Sequence, residues 1–241
     1  MKAMIFAAGL GTRLYPITKD RPKALAEVNG LTLLEYNIRF IAAQGFDKII
    51  INVHHYADKL IDFLKVNHNF GLPIELSYEQ ELLDTAGGLA KVAGFFDDED
   101  FLLYNVDVIS SIDLRKMLVH HQQTKALATL AIRQRPTSRY LLFDENMHLA
   151  GWRNKSTGDE ILVKNYAEDD ELSEFAFSGI HILSPKILPL LGEVRKHSLT
   201  PFYLEIAKDN ILAGYEHNED AWFDCGKPET LKQAENYLLK K

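Results

Sequence analysis

The sequence predicts an α/β protein with a Rossmann-like mixed, mainly parallel sheet that is flanked by helices. Two observations support this class. Short, continuous apolar runs such as Met4–Ala8 and Lys48–Val53 are typical of strands that are buried on both faces. These runs alternate with amphipathic stretches at helical spacing, and that order favours parallel strands joined by helical crossovers.

The alternation is regular in residues 1–125. The predicted strands are Met4–Ala8, Lys48–Val53, Ile74–Tyr78 and Phe101–Val106. One predicted helix begins near Leu33 and ends before Gly45. Three more helices are predicted at Asp58–Val66, Thr85–Phe95 and Asp113–Gln123. Right-handed crossovers would bring the carboxyl ends of these strands to one edge of the sheet, so functional residues are expected in the loops there.

The pattern is less regular in residues 126–241. Mixed strands are predicted at Ala126–Arg133, Tyr140–Phe143, His148–Trp152, Phe175–Leu183 and Ile211–Glu216, with a final helix at Glu229–Leu239. The charged segment Asn154–Ser173 is expected to be an irregular insertion. Because no low-complexity linker divides the chain, we expect one domain over residues 1–241.

Composition excludes several function classes. A formal net charge of −7 argues against a nucleic-acid or anionic-membrane partner, since such partners favour basic surfaces. Cys225 is the only cysteine, so no intrachain disulfide can form, which fits a reducing compartment. The opening MKAMIFAAGLGTR has too short an apolar stretch for a signal peptide. We therefore expect a cytoplasmic protein; its oligomeric state is not indicated.

The loop after the first strand has the composition of a phosphate-binding loop. Gly9 and Gly11 lack a Cβ, so the backbone there can turn sharply and approach an anion. Arg13 adds a planar fork for phosphate oxygens, and Lys23 adds a compact charge. A dinucleotide loop of an oxidoreductase is disfavoured because Leu14 replaces the third glycine. No Walker A lysine follows at the required spacing.

Asp107 is a candidate metal ligand. Asp107 follows the predicted strand Phe101–Val106, at the edge where open α/β sheets bind ligands. Its carboxylate suits Mg²⁺, which proteins hold through one or two carboxylates together with phosphates. Asp107 as a helix cap or turn residue is the alternative interpretation. Asp224, shortly before Gly226 and Pro228, has the same alternative as a turn residue.

The motif G-x-G-T-R-x-x-P-x-T-x-x-x-P-K resembles the signature of the sugar-1-phosphate nucleotidyltransferases. It stands at Gly9, Gly11, Thr12, Arg13, Pro16, Thr18, Pro22 and Lys23. The resemblance implies a fold of the nucleotide-diphospho-sugar transferase type, with a nucleotide-binding half (1–125) and a sugar-binding half (126–241). It further implies catalytic roles for Arg13 and Lys23. The nucleotide-binding residues that it implies are Ala8, Gly9, Gly11, Thr12, Arg13, Lys23, Gln80, Thr85 and Gly87.

Later segments extend the resemblance. Trp222-x-Asp224-x-Gly226 is similar to a segment of the family whose aspartate is the second Mg²⁺ ligand, so Asp107 and Asp224 would hold the metal together. The sugar-phosphate-binding residues that the resemblance implies are Asp84, Asn105, Lys155, Ser178 and Gly179, and Lys164 is a rival to Lys155.

The function that this resemblance implies is a Mg²⁺-dependent reaction of a nucleoside triphosphate with a sugar 1-phosphate, which releases pyrophosphate. The segments LLDTAGG and SGIHI and the chain length are most similar to N-acetylmuramate-1-phosphate uridylyltransferases. Guanylyltransferases for mannose or heptose 1-phosphate and a phosphocholine cytidylyltransferase remain alternatives. A non-catalytic nucleotide-sugar sensor is disfavoured because Lys23, Asp107 and Asp224 are all present.

Overall fold

A computed structural model describes residues 1–163, 166 and 171–240. The strands in these ranges are β1 (Lys2–Phe6), β2 (Glu27–Val28), β3 (Leu31–Thr32), β4 (Lys48–Val53), β5 (Ile74–Tyr78), β6 (Phe101–Asn105), β7 (Val108–Ser110), β8 (Ala128–Arg133), β9 (Arg139–Phe143), β10 (Leu149–Asn154), β11 (Asp159–Leu162), β12 (Ser173–Leu183), β13 (Leu212–Glu216) and β14 (Trp222–Asp224). The helices are α1 (Leu33–Ala43), α2 (Ala57–Val66), α3 (Asp84–Lys91), α4 (Leu114–Thr124), α5 (Leu199–Ile206) and α6 (Pro228–Leu238).

Ten of the described strands form one mixed sheet, which confirms the predicted fold class. Its parallel part has the order β5-β4-β1-β6, and β12 continues it in the antiparallel direction. Beyond β12, the chain adds β9, β10 and β11 on one branch and the parallel pair β8 and β13 on the other. The first half is therefore parallel, whereas most pairings of the second half are antiparallel.

The sheet separates two apolar layers. On β1, Ala3 and Ile5 belong to a core that includes residues of α1, α2 and α4, whereas Met4 belongs to a second core with residues of α3 and α5. Successive side chains of a strand point to opposite faces. The first apolar run is hydrophobic throughout because both faces of β1 are covered.

The charged segment of the second half differs from the sequence-based expectation. Asn154–Ser173 is not irregular throughout, because Asp159–Leu162 forms the edge strand β11 against β10. Arg153 lies opposite Glu160 in this register, and their side chains form an ion pair. Cross-strand pairs of opposite charge stabilise a strand that hydrophobic patterning alone does not indicate.

Two further elements lie outside the predicted pattern. Helix α5 carries Pro201 in its first turn, where a missing backbone N–H costs no intrahelical hydrogen bond. Strand β14 pairs antiparallel with β7, and Asp224 lies opposite Val108. No helix in the described ranges is both long and apolar enough to cross a membrane.

The start of α3 is fixed by contacts with the segment before α5. The amides of Ala86 and Gly87 donate to the carbonyl of His197 at 2.9 and 3.2 Å, and the His197 amide donates to the Leu83 carbonyl at 3.0 Å. A Cβ at Gly87 would lie 2.1 Å from the carbonyl oxygen of Arg195. The backbone of another segment therefore occupies the space that any larger residue would need.

We expect Gly87→Ala to lower the free energy of unfolding by about 1–3 kcal/mol, although alanine is the better helix former. The cause is a clash with a backbone oxygen, which cannot rotate away. Urea unfolding followed by circular dichroism measures the change. Gly94→Ala is the matched control, since a Cβ there meets nothing within 4 Å. Equal stability of both variants and the wild type would show that the clash at Gly87 carries no energetic cost.

Candidate active site

The loop after β1 is anchored at both ends. At its start the Ala7 amide donates to Oδ1 of Asn52 at 2.8 Å. Gly11 has φ +66°, and a Cβ there would lie 2.9 Å from Cβ of Lys23, so the turn packs directly against this lysine. Leu14, where a dinucleotide loop has glycine, is fully buried and packs in a third apolar cluster with Cys225. Thr12 and Arg13 are less enclosed than these anchors, and the Arg13 side chain is exposed.

Four charged side chains meet beside this loop. Nζ of Lys23 donates to Oδ2 of Asp107, and Nη1 of Arg13 lies 3.8 Å from Oδ2 of Asp224. The β7–β14 pairing brings the two aspartates together, and the Cys225 amide donates to the Asp107 carbonyl at 2.7 Å. Burial raises the pKa of Asp224, and the neighbouring charge of Asp107 raises it further. The carboxylates of Asp107 and Asp224 thus lie close together in a partly buried position.

This donor set fits Mg²⁺ in a particular way. Among the described residues, no group of three or more His, Cys, Asp or Glu could hold a metal ion alone. Mg²⁺ needs no such cage, because it is commonly bound by one or two carboxylates plus waters and substrate phosphates. Asp107 and Asp224 are the residues that would hold it, and a cation would relieve their mutual repulsion.

A cavity of about 280 Å³ opens at the carboxyl ends of the parallel strands. Its wall includes the predicted residues Ala8, Gly9, Lys23, Asp84, Thr85, Asn105 and Asp107. The register explains the convergence, since Phe6 at the end of β1 lies opposite Asn52 on β4 and Asn105 on β6. The strand-end rule of open α/β sheets therefore applies to this molecule.

Two residues of this wall, Asn52 and Glu79, are absent from the sequence-based predictions. Glu79 is 1% exposed, and its carboxylate accepts from Nδ2 of Asn52 at 2.7 Å and from the Leu83 amide at 3.0 Å. Through Asn52, this network reaches the Ala7 amide at the start of the loop. Both residues lie at the carboxyl end of a correctly predicted strand, which is the signal that could have found them.

Of the residues from Gln80 to Gly87 that are predicted to bind the nucleotide, only Thr85 lines the cavity. Gln80 is exposed, and Gly87 uses its amide for His197. Thr85 reaches the cavity, and its Oγ1 accepts from the Leu199 amide at 2.9 Å. The amides of Ala86 and Gly87 therefore bind a protein carbonyl and do not face the cavity. Packing against the neighbouring segment therefore explains why position 87 is a glycine, independently of any ligand.

On the side of the second half, Gly179 and Asn105 are in direct contact. Gly179 has φ +75°, and a Cβ there would lie 2.6 Å from Nδ2 of Asn105, so only glycine fits beneath this side chain. Ser178 is buried, and its hydroxyl forms a 2.7 Å hydrogen bond with Nε2 of His217. Burial lowers the pKa of His217 to about 4, so the imidazole is neutral near pH 7.

The candidate sugar-phosphate lysine has another partner. Nζ of Lys155 lies 2.5 Å from Oε2 of Glu174 and 4.8 Å from the centre of the Tyr140 ring. Its side chain is about half exposed and does not line the 280 Å³ cavity. The rival, Lys164, lies outside the described residues.

The chain is similar to known proteins over almost its whole length. The family model described as nucleotidyl transferase matches residues 2–241. The chain is 33% identical to the D-glycero-alpha-D-manno-heptose 1-phosphate guanylyltransferase of Aneurinibacillus thermoaerophilus, covering 99% of this chain and 98% of that protein. It is 28% identical to the N-acetylmuramate alpha-1-phosphate uridylyltransferase of Caulobacter vibrioides, covering 99% and 97%.

A longer relative and a solved structure extend the comparison. The chain is 28% identical to the UTP–glucose-1-phosphate uridylyltransferase of Synechocystis sp., but it spans only 64% of that protein's length. The crystal structure of HddC from Yersinia pseudotuberculosis complexed with GMP-PN has a TM-score of 0.78 at 21% identity, covering 98% of this chain and 99% of that one. The structural match shows the same fold. The chain belongs to the nucleotidyl transferase family, and its relatives and fold indicate an enzyme of the sugar-1-phosphate nucleotidyltransferase class.

Proposed function

We propose that the protein catalyses attack of a sugar 1-phosphate oxygen on the α-phosphorus of a nucleoside triphosphate. A new oxygen–phosphorus bond forms, the bond between the α-phosphorus and its β-bridging oxygen breaks, and pyrophosphate leaves. The observation that carries the proposal is the meeting of Lys23, Asp107 and Asp224 beside the glycine loop. Both reactants are anions, so catalysis needs alignment and neutralisation of charge rather than a covalent intermediate.

Each charged group has a role in this proposal. Asp107 and Asp224 would hold Mg²⁺, which supplies positive charge to the reacting phosphates when it is bound. Arg13 and Lys23 would be the catalytic residues: their cations lie beside the two aspartates, and they would neutralise the negative charge that develops on the departing pyrophosphate. Ala8, Gly9, Gly11, Thr12 and Thr85 would contact the nucleotide, with Gly11 providing the close turn.

Residues of both halves would bind the acceptor. Asn105 and Asp84 line the cavity, and Gly179 supports Asn105 from behind. Ser178 acts here by holding its strand in place, since His217 occupies its hydroxyl. Lys155 would have to exchange Glu174 for a phosphate to serve as the sugar-phosphate ligand. In this proposal residues 1–125 remain the nucleotide-binding half and 126–241 the sugar-binding half, with Asp84 and Asn105 reaching the acceptor from the first half.

For the substrates we propose UTP and N-acetylmuramate 1-phosphate, with turnover in the cytoplasm. The support is the N-acetylmuramate alpha-1-phosphate uridylyltransferase of Caulobacter vibrioides, which aligns with this chain over 97% of its own length. The heptose guanylyltransferase relative aligns as completely, so guanylyl transfer to heptose or mannose 1-phosphate is the second candidate. A phosphocholine cytidylyltransferase and a nucleotide-sugar sensor are the remaining alternatives.

Pyrophosphate release tests the proposal directly. Purified protein with Mg²⁺ is assayed against UTP, GTP, CTP and dTTP, each combined with N-acetylmuramate, heptose, mannose and glucose 1-phosphates and with phosphocholine. We expect release with UTP and N-acetylmuramate 1-phosphate. Release with another pair would keep the reaction and replace the substrates. No release with any pair, although the triphosphate binds, would favour a sensor.

We expect Lys23→Ala and Asp107→Ala to lower kcat/KM by about 30- to 1000-fold, corresponding to about 2–4 kcal/mol of transition-state stabilisation. Each variant removes a charge that faces the reacting phosphates. Steady-state pyrophosphate assays measure the loss. The exposed residues Lys19 and Asp98 provide matched controls as alanine variants. Turnover of either site variant near the wild-type value would refute the assigned roles.

We expect Glu79→Gln to lower the free energy of unfolding by about 1–3 kcal/mol, because an amide NH₂ would face one of the two N–H donors that the carboxylate accepts from. The KM for the triphosphate should also rise, since the Ala7 amide depends on Asn52 in this network. Urea unfolding and nucleotide saturation curves measure the two effects. Glu81→Gln, at an exposed position, should leave both unchanged.

A further inference from the structure

A second cavity borders the proposed metal site. It has a volume of about 340 Å³, and we call it the Trp222 cavity after the indole in its wall. Its other wall residues include Arg133, Arg135, Asp224 and Lys227. Asp224 belongs to this wall and also lies beside Asp107 of the first cavity, so the two cavities flank the proposed metal site.

The charges of two carboxylates act on the arginines of this cavity, that of Asp220 on Arg133 and that of Asp224 on Arg135. The guanidinium of Arg135 lies 4.5 Å from the centre of the Trp222 ring system, and that of Arg133 lies 5.8 Å from it. Arg133 donates to the carbonyls of Asp220 and Asn218, and Arg135 donates to the carbonyl of Phe177. Within the described ranges, neither guanidinium forms an ion pair with Asp or Glu.

Arg135 retains unused binding capacity. Its Nε is buried and has no hydrogen-bond partner among the described residues. Burial lowers the pKa of Arg135, and the neighbouring charge of Arg133 lowers it further, yet a guanidinium stays charged near neutral pH. Asp224 and Tyr140 are the groups that act in the opposite direction. Two cations held against one indole in the wall of a cavity are arranged for an oxyanion.

The position of the cavity indicates which substrate would carry that oxyanion. Nε1 of Trp222 donates to the Ser178 carbonyl at 2.9 Å, and Arg135 donates to the carbonyl of the preceding residue. The cavity is therefore built on β12, the strand that carries Gly179 beside Asn105. Gly9 and Lys23, the proposed triphosphate ligands, line the other cavity.

We propose that the Trp222 cavity binds a second anionic group, a carboxylate or a phosphate, which the sugar carries in addition to its 1-phosphate. Arg135 is then a specificity-determining residue, because its fork can pair with either oxyanion. This inference rests on the proposed transfer to a sugar 1-phosphate and names the class of acceptor. A neutral sugar would bring no further negative charge to Arg133 and Arg135.

Matched pairs of acceptors test the inference. N-acetylmuramate 1-phosphate is compared with N-acetylglucosamine 1-phosphate, and glucose 1,6-bisphosphate with glucose 1-phosphate. We expect the wild type to prefer the anionic member of one pair by about 10- to 100-fold in kcat/KM, the range for a charged hydrogen bond. The preferred pair identifies the carboxylate or the phosphate as the source. Arg135→Gln should remove this preference and leave the neutral member within about twofold of the wild type.

Two variants separate specificity from folding. Arg135→Lys, which keeps the charge, should retain part of the preference, and Arg139→Gln, at an exposed position on β9, should retain all of it. The absence of a preference in the wild type would overturn the inference. An equal loss for both members of a pair in Arg135→Gln would also overturn it, since the arginine would then act on the 1-phosphate or on folding.

A binding measurement keeps this inference distinct from the proposed function. The sequence has two tryptophans, so Trp152→Phe leaves Trp222 as the only indole. We expect N-acetylmuramate 1-phosphate or glucose 1,6-bisphosphate to change the fluorescence of Trp222. The concentration needed for half of this change should be about tenfold or more lower than for the neutral member of the same pair. Binding with this preference but without turnover would support the inference and refute the transferase. Turnover together with equal binding of both members would support the transferase activity and refute the inference.

Discussion

The repulsion between Asp107 and Asp224 is the constraint on which the rest of the site depends. Backbone pairing overcomes it, because β7 and β14 run side by side and the Cys225 amide binds the Asp107 carbonyl. Burial and the second charge raise the pKa of Asp224, while Lys23 and Arg13 act in the opposite direction. The fold therefore holds two carboxylates close together, and this arrangement is favourable only when cations and anions assemble there together.

The sequence was sufficient for the parts of the site that follow a positional rule. Asp107, the glycine loop and Thr85 were located because they follow predicted strands or begin a helix at one edge of the sheet. Asn52 and Glu79 obey the same rule but were overlooked, since an amide and a single carboxylate carry no motif. The strand pattern of the parallel half was accurate because its apolar runs are buried on both faces.

Other features could not be obtained from the sequence, because they depend on contacts between distant segments. Gly87 is small to make room for the Arg195 carbonyl, which no local pattern encodes. Ser178 is predicted as a sugar-phosphate ligand, and the sequence does not indicate the hydrogen bond that its hydroxyl forms with His217. Arg135 carries no motif, and its role emerges only where β12 and β14 place the Phe177 carbonyl and the Trp222 indole beside it. In each case the tertiary partner decides the role.

Strand β12 has a consequence for how the molecule can be divided. It pairs with β6 from the first half and with β8 and β9 from the second, along a single run of eleven residues. A chain cut after residue 125 would leave β6 as an open sheet edge, with an apolar surface stripped of its cover. The halves are thus not separable modules that recombination could exchange freely. Partners for either half must preserve the register along β12.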